Sequence, residues 1–453
     1  MTRVAVVGAG IAGLAAAYEL TKHGVTPIVF DADTRAGGKV RTERFGDVMV
    51  DTGPDAFLAR RPEAVELCEE LGLRPRLEPP AATHAYVYAR GRLRTLPTGL
   101  VLGVPTDPVA LARSGILSGW AVVRAALEPY LRGSPLGEDE ALGTVTRRRF
   151  GNEVTDKLVD PLLGGINAGD VDELSIDLIA PQIAAAARTD RSLTRALQGA
   201  PKPPTSNDPV FFTIPGGMES LVDALLKAIT AAGGEVRRND PVSSISAREV
   251  ASRSGTTDVL GVVLATPSYV SALLLEPVAP GVAGTLRSIP YASVCMVLLS
   301  YDERDMGRSL DASGYLVPRS EGLLITAASW ASTKWSHLAR PGRVLIRASA
   351  GRFGDDRAMA MTDDELVRRV HADLVTTMQV RSEPIESSVV RWKNAFPQYP
   401  PGHRGRIDAA LAALPPGVTL AGAALRGVGL PACIGTGRDA ARAVLGSIGY
   451  NGS

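Results

Sequence analysis

The sequence predicts an α/β protein with one doubly wound domain, a second domain built on a mixed sheet, and a mainly helical insertion. Three observations carry this. The N-terminus reads strand, glycine-rich turn, helix, strand. Residues from about 268 to 411 alternate strand and helix patterns. Between them, residues 96–185 show apolar residues mainly at helical spacing.

The N-terminal stretch is the most specific. Arg3-Val4-Ala5-Val6-Val7 is an apolar run with β-branched residues, the mark of a buried strand. Gly8-Ala9-Gly10-Ile11-Ala12-Gly13 has G-x-G-x-x-G spacing. Leu14, Tyr18 and Lys22 lie on one side of an Ala-rich helix closed by Gly24, and Ile28-Val29-Phe30 leads to Asp31. In a Rossmann-type domain the first glycine permits the tight turn, the second leaves room for a pyrophosphate, and the third lets helix and strand pack closely. The helix N-terminus offers free N–H groups to phosphates. A carboxylate about 20 residues past the glycines accepts from a ribose hydroxyl, which favours FAD or NAD over NADP. Glycines in this spacing alone would equally describe a surface turn; the complete strand–turn–helix–strand–acid series predicts dinucleotide binding.

Arg35-Ala36-Gly37-Gly38-Lys39-Val40-Arg41-Thr42 follows. Its double glycine can pass close to phosphates while Arg35 and Lys39 supply cations. Val48 to Thr52 reads as a strand ended by the turn Gly53-Pro54-Asp55-Ala56-Phe57, and Pro62 suits the first turn of a helix that Gly72 ends. Tyr86 to Leu93 reads as a hairpin turning at Arg90-Gly91. Residues 200–209 form a Pro-rich linker or flap. Phe211 to Ile214, Glu235 to Val242 and Val262 to Pro267 are expected strands, with a helix marked by Leu221, Leu225 and Ile229. Val418 to Gly422 is a buried strand, Arg426 to Pro431 a tight loop, and Ala440 to Leu445 a last helix aimed at the nucleotide. The expected domains are 1–60 plus 211–267 plus 412–453 for the nucleotide, 61–95 plus 186–210 plus 268–411 for the substrate, and 96–185 for the helical insertion.

Composition narrows the function classes. A chain of 453 residues is too long for one compact core. A net charge of +1 with 5% aromatics argues against nucleic acid as a partner. Cys68, Cys295 and Cys433 are far apart and form no C-x-x-C, so they read as buried hydrophobes of a reducing compartment. The five histidines show no ligand spacing, so no metal is expected. The N-terminus begins directly in a strand, without the pattern of a secretory signal. The longest apolar region, Gly261 to Gly284, is broken by three prolines and Glu276 and reads as strand, turn and helix. A cytoplasmic protein with at most peripheral membrane contact is expected. Arg147-Arg148-Arg149 reads as a solvated helix face more readily than as a carboxylate site.

The glycine motif with the R-x-G-G-[RK] string after it resembles the flavin amine oxidase superfamily. Longer strings resemble one branch of it, the bacterial oxygen-dependent coproporphyrinogen III and protoporphyrinogen IX oxidase family. They are Gly53 to Phe57, Gly99 to Pro105, Asp160-Pro161-Leu162-Leu163-Gly164-Gly165-Ile166 with Ala168-Gly169-Asp170, Arg391-Trp392 with Phe396-Pro397-Gln398-Tyr399 and Gly402-His403, and Gly427 to Cys433. The resemblance spans nearly the whole chain and implies FAD as cofactor. It implies that Gly8, Ala9, Gly10, Ile11, Ala12 and Gly13 surround the pyrophosphate, that Asp31 and Ala32 meet the adenosine ribose, and that Lys39 meets a phosphate or the flavin edge. It further implies that Gly53, Pro54, Asp55 and Ala56 line the ring with Trp392, that Val242 covers the adenine, and that Val428, Gly429 and Leu430 flank the ribitol. Arg61, Ile166 and Phe396 occupy positions that contact the porphyrinogen in the family. Many relatives carry Tyr where Asn167 stands and Met where Phe396 stands, a difference that bears on pocket shape.

The implied reaction takes hydride from the methylene bridges of a porphyrinogen and passes the electrons to dioxygen, releasing peroxide. No protein group is required as the redox centre, and no Ser-His-Asp, Cys-His or dicarboxylate set is evident. The product would pass to a ferrochelatase by pathway analogy. Two other classes fit the flavin motifs: an amine oxidase or desaturase on the same fold, and a non-catalytic flavin or haem-precursor carrier.

Overall fold

The structure is a computed structural model that describes residues 3–131, 133, 135–200 and 209–450. It divides into two compact units, Met1–Pro79 with Asp208–Pro290 and Arg404–Ser453, and Pro80–Asn207 with Tyr291–His403.

The first unit is centred on a five-stranded parallel sheet, in the order Glu235–Arg237, Thr26–Phe30, Arg3–Val7, Gly261–Leu264, Val418–Leu420. Its central strands are buried almost throughout, as expected where both faces are covered. The helix Ile11–Lys22 packs on the sheet through Leu14, Ala15, Ala16, Ala17 and Leu20, all fully buried. The strand read from the sequence as Glu235 to Val242 is two strands. Glu235–Arg237 joins the parallel sheet, Asn239 takes a left-handed φ of 55°, and Val242–Ile245 opens a separate three-stranded antiparallel sheet. Pro241 lies in the break, where a residue without an N–H does least harm. The last helix is longer than expected, Leu430–Ser447, and Pro431 sits in its first turn instead of in a loop.

The second unit is centred on a seven-stranded sheet, in the order Glu386–Pro397, Tyr291–Asp302, Arg343–Ala350, Ile325–Trp330, Gly314–Leu316, Tyr86–Ala89, Arg92–Thr95. All neighbours are antiparallel except Gly314–Leu316 with Tyr86–Ala89, so the sheet is mixed. Alternate residues Cys295, Val297, Leu299, Tyr301 and Val344, Ile346, Ala348 face one core. The helix Asp363–Met378 covers them with Leu366, Val370, Leu374 and Met378, an i, i+4 row of completely buried side chains. Four such residues contribute roughly 6–12 kcal/mol of burial. Thr362 and Glu365 start this helix with a capping box. The hairpin turn is at Arg90 and Gly91, both at positive φ (56° and 72°), the type I′ signature.

The helical segment lies inside this second unit. Its helices continue past residue 185, through Pro181–Thr189 and Leu193–Gly199. They share a core with the hairpin: Leu142, Val145, Phe150, Ile183, Ala187 and Leu193 bury together with Val87 and Ala89. The reading of Arg147–Arg149 as a solvated face is corrected by Arg149, which is 5% exposed and lies 3.9 Å from the buried Glu128. Most of the anticipated Pro-rich linker, residues 201–208, falls outside the described residues.

Candidate functional site

Two surfaces, one in each unit, gather the residues that the sequence singles out. In the first unit the glycine turn sits at the C-terminal end of Arg3–Val7, where neighbouring strands lead away to either side, the switch point at which open α/β sheets bind ligands. Gly8 has φ 105°, and its N–H donates to Phe30 O at 2.7 Å. A Cβ at Gly13 would stand 1.9 Å from Gly8 O, so helix and turn touch backbone to backbone. Gly10, the N-cap of the helix, differs: a Cβ there meets nothing within 4 Å. The space above Gly10 is a cradle without protein atoms, beside Ile11 and Ala12 in the helix's first turn and its free amides. A pyrophosphate fits this cradle.

The double-glycine loop closes over the same place. Gly37 N–H donates to Ala9 O at 2.7 Å, and a Cβ on Gly38 would lie 3.2 Å from Gly10 Cα. The two motifs, separate in sequence, form one backbone surface. Arg35 does not serve it as a free cation: its guanidinium pairs with Glu219 at 2.7 Å. Lys39 remains. Its side chain is exposed and has no ion-pair partner among the described residues, yet desolvation by surrounding protein lowers its pKa. A cation in that setting favours an incoming anion. Beside it, burial pushes the Cys433 thiol up to about 11.

Asp31 is half-buried, and desolvation raises its pKa against the hydrogen bonds it accepts from Asp33 N–H (2.8 Å) and Ala9 N–H (2.5 Å). Its carboxylate therefore ties the second strand to the glycine turn. Ala32 beside it is exposed. Gly53 lies so close to Lys39 O that a Cβ would stand at 1.9 Å, and Pro54, Asp55 and Ala56 continue half-buried. Val242 is half-buried at the start of the antiparallel sheet. Val428 and Gly429 lead into the last helix with Leu430 buried in its first turn. Gly437 lets this helix meet the first one, since a Cβ there would lie 2.2 Å from Ala12 O. Arg61 is exposed at the N-cap of Pro62–Glu70.

In the second unit the decisive element is a π-helix, Thr155–Gly164, with Pro161 inside it. Proline has no N–H for the α-helical ladder, and wider turns of this kind concentrate at functional sites. A short turn, Gly165–Asn167, follows and ends at Ala168 in a left-handed conformation with φ 46°. This presents Ile166 outward, 63% exposed, while Asn167 turns in and donates from Nδ2 to Leu163 O at 2.8 Å. Gln398 donates from Nε2 to Asn167 O at 3.1 Å and to Phe396 O at 3.1 Å. Phe396 and Phe353 pack beside Ala168, Ala292 and Val294. Ala168 and Phe396 thus belong to one apolar corner, Ile166 stands exposed two residues before Ala168, and Gln398 ties the turn to the strand. Tyr399 is fully buried, and its carbonyl accepts Ser175 N–H at 2.7 Å. Trp392 is half-buried on the same strand as Phe396.

Sequence reasoning missed Glu219 and Gln398 as fasteners. It also missed the ion pair, 3.5 Å apart, between the buried Asp160 of the π-helix and the half-exposed Arg319. An acid directly before Pro161 in an apolar run was the available signal for Asp160.

Residues 11–445 match the family of flavin-containing amine oxidoreductases. Among curated relatives, a coproporphyrinogen III oxidase of Bacillus subtilis is 32% identical, covering 96% of both chains. One from Mycobacterium tuberculosis is 35% identical, covering 97% of this chain and 96% of its own. A solved structure from Exiguobacterium, provisionally assigned as a protoporphyrinogen oxidase, superposes with a TM-score of 0.87 at 30% identity, covering 98% of each chain. Cyclohexylamine oxidase from Brevibacterium oxydans shares the fold with a TM-score of 0.70 at 19% identity, covering 99% of each chain. The glycine cradle and the family match agree, and the chain belongs to the flavin-containing amine oxidoreductases as an FAD-dependent oxidoreductase.

Proposed function

We propose that the chain oxidises coproporphyrinogen III to coproporphyrin III in haem biosynthesis with dioxygen as acceptor. Three successive two-electron oxidations convert one porphyrinogen and three dioxygen molecules into one porphyrin and three hydrogen peroxide molecules. The observation that carries this is the 32% identity over 96% of both chains with a relative named for that activity. Protoporphyrinogen IX, with two propionates in place of four, is the runner-up substrate, supported by the Exiguobacterium neighbour.

FAD, when bound, supplies hydride acceptance and reoxidation by dioxygen. The chain supplies binding and orientation. Gly8 to Gly13 give the pyrophosphate its cradle, with Asp31 and Ala32 toward the ribose and Val242 toward the adenine. Lys39 offers a cation, and the first turn of Leu430–Ser447, entered through Val428 and Gly429, directs its amides to the cofactor. Gly53 to Ala56 and Trp392 are assigned to the ring. Ile166 and Phe396 give the macrocycle an apolar contact, and Arg61 a guanidinium for a propionate. A cytoplasmic location and hand-over to a ferrochelatase complete the proposal; both rest on the resemblance. Among the described residues no helix is long and apolar enough to cross a membrane.

The test is anaerobic mixing of purified holoenzyme with each porphyrinogen, then admission of oxygen. Coproporphyrinogen should bleach the flavin absorbance fastest, and oxygen should restore it with stoichiometric peroxide. Bleaching only by amines would move the chain to the amine oxidases. Bleaching by no substrate would make it a carrier, and turnover with a quinone but not with oxygen would remove dioxygen.

A further inference from the structure

Behind the apolar corner of the second unit lies a charge that the proposed function does not use. Arg352 follows the strand Arg343–Ala350 and opens the turn that seats Phe353 on Ala168, Phe353 N–H donating to Ala168 O at 2.7 Å. Arg352 is 7% exposed, yet its guanidinium has no hydrogen bond or ion pair among the described residues. Four charged groups face it: Arg319, Asp160, Asp355 and Arg357. The two acids have other partners. Arg357 grips Asp355 with two bonds of 2.8 Å. Asp160 accepts Val171 N–H at 3.4 Å and lies 3.5 Å from Arg319 Nε.

Arg319 itself is anchored, donating to Gly169 O at 2.7 Å and to Phe353 O at 3.3 Å. It thereby clamps the turn that carries Arg352 to the turn that carries Ile166. Its Nε has no hydrogen-bond partner. Two guanidinium groups thus lie together with donors to spare, Arg352 buried and Arg319 32% exposed, and Arg352 has no anion of its own. Desolvation lowers the Arg352 pKa accordingly. An enclosed cation without a partner is costly, and such a group calls for a role. Its planar fork of donors matches one ligand chemistry best, a carboxylate taken in bidentate fashion.

We infer that Arg352 is a specificity-determining residue that receives a propionate carboxylate of the porphyrinogen, with Arg319 and Asp160 as positioning residues. This rests on the proposed function for its substrate, and it adds a carboxylate contact beside Ile166 and Phe396. A purely structural role, with Arg352 acting only as a counter-charge for Asp160, makes opposite predictions.

The test measures binding of coproporphyrin III to the FAD-loaded enzyme by porphyrin fluorescence, with its tetramethyl ester in dilute detergent as the uncharged control. Arg352→Gln should weaken coproporphyrin III roughly ten- to a hundredfold and leave the ester unchanged. Its melting temperature should not fall below that of the wild type, because an unpartnered enclosed cation has been removed. Arg352→Lys should recover part of the affinity. Unchanged coproporphyrin affinity in Arg352→Gln, in an enzyme whose wild type binds it, overturns the inference and leaves the proposed function standing. Equal losses for acid and ester with a lowered melting temperature, in the Gln and Lys variants alike, also overturn it. A wild type that binds no coproporphyrin at all overturns both.

Discussion

Two glycines of one motif should fail for different reasons when given a side chain. At Gly10 the backbone is extended (φ −70°, ψ 173°), and a Cβ meets nothing within 4 Å. Gly10→Ala or Gly10→Val should therefore leave the apo-fold nearly intact, costing about 1 kcal/mol for a poorer N-cap. At Gly13 a Cβ would stand 1.9 Å from Gly8 O and 3.1 Å from Gly8 C. Relief requires the helix Ile11–Lys22 to move outward by more than an ångström. Leu14 and Leu20, both at 0% exposure, would have to move with it. Overpacking of that kind costs about 1–3 kcal/mol or more. Near a domain of about 200 residues each kcal/mol shifts melting by roughly 2–4 °C. Deflavinated protein melted by circular dichroism gives the stability term, and titration with FAD gives the affinity term. Gly10→Val should melt within a few degrees of wild type and bind no FAD; Gly13→Ala should lose stability before FAD is added. A Gly10→Val protein with full FAD occupancy would refute the cradle, and a Gly13→Ala protein with unchanged melting would refute the packing.

Three further outcomes follow from individual groups. Burial pushes the thiols of Cys68 and Cys433 up to about 12 and about 11, so neither should react quickly with a disulfide reagent at pH 8, and denaturant should release all three cysteines; a fast thiol in the folded protein would contradict the enclosure. Burial raises the Asp160 pKa above its ordinary value, opposed chiefly by Arg319, so the ionised form is disfavoured in the folded state. Its destabilising contribution is present above the folded pKa and relieved as pH falls through it, so wild type should gain on Asp160→Asn as pH drops from 7 toward 4. Parallel melting curves over that range would remove the shift. Arg61 is exposed and its side chain has no ion pair among the described residues, so Arg61→Ala should leave melting within about 0.5 kcal/mol of wild type, while KM for coproporphyrinogen rises roughly tenfold and kcat changes less; an unchanged KM would remove it from the site.

The parts of this protein that were legible in sequence are those whose physics is local. Gly8 and Gly13 announce themselves because only glycine serves a positive φ or a close backbone contact, Gly10 because it completes their spacing, and Asp31 because it ends the strand that follows the motif's helix. The row Leu366, Val370, Leu374, Met378 is legible because burial repeats with the helix period. What was not legible depends on residues distant in sequence. Arg35 reads as a phosphate cation until Glu219, 184 residues later, takes its guanidinium. Asn167 reads as a pocket-shaping substitution, yet its side chain turns in to Leu163 while its carbonyl accepts from Gln398, 231 residues away. The break at Asn239 is hidden because Glu235 to Val242 has no apolar period to interrupt.

The same division explains why recognition strings and contact residues differ. Gln398, Tyr399 and His403, the core of the most specific string, are each at most 2% exposed and serve as fasteners. Ile166, the residue they help to present, stands 63% exposed in a turn whose geometry is fixed by Pro161 and Ala168. A string of buried polar residues must be kept whole, because each hydrogen bond left unmade in the interior costs about 1–3 kcal/mol. The side chain it presents can vary without that penalty. Substrate preference in this fold is therefore expected to follow the exposed or unpartnered positions, Arg61, Ile166, Arg352 and the half-buried Phe396, and not the strings by which the chain is recognised.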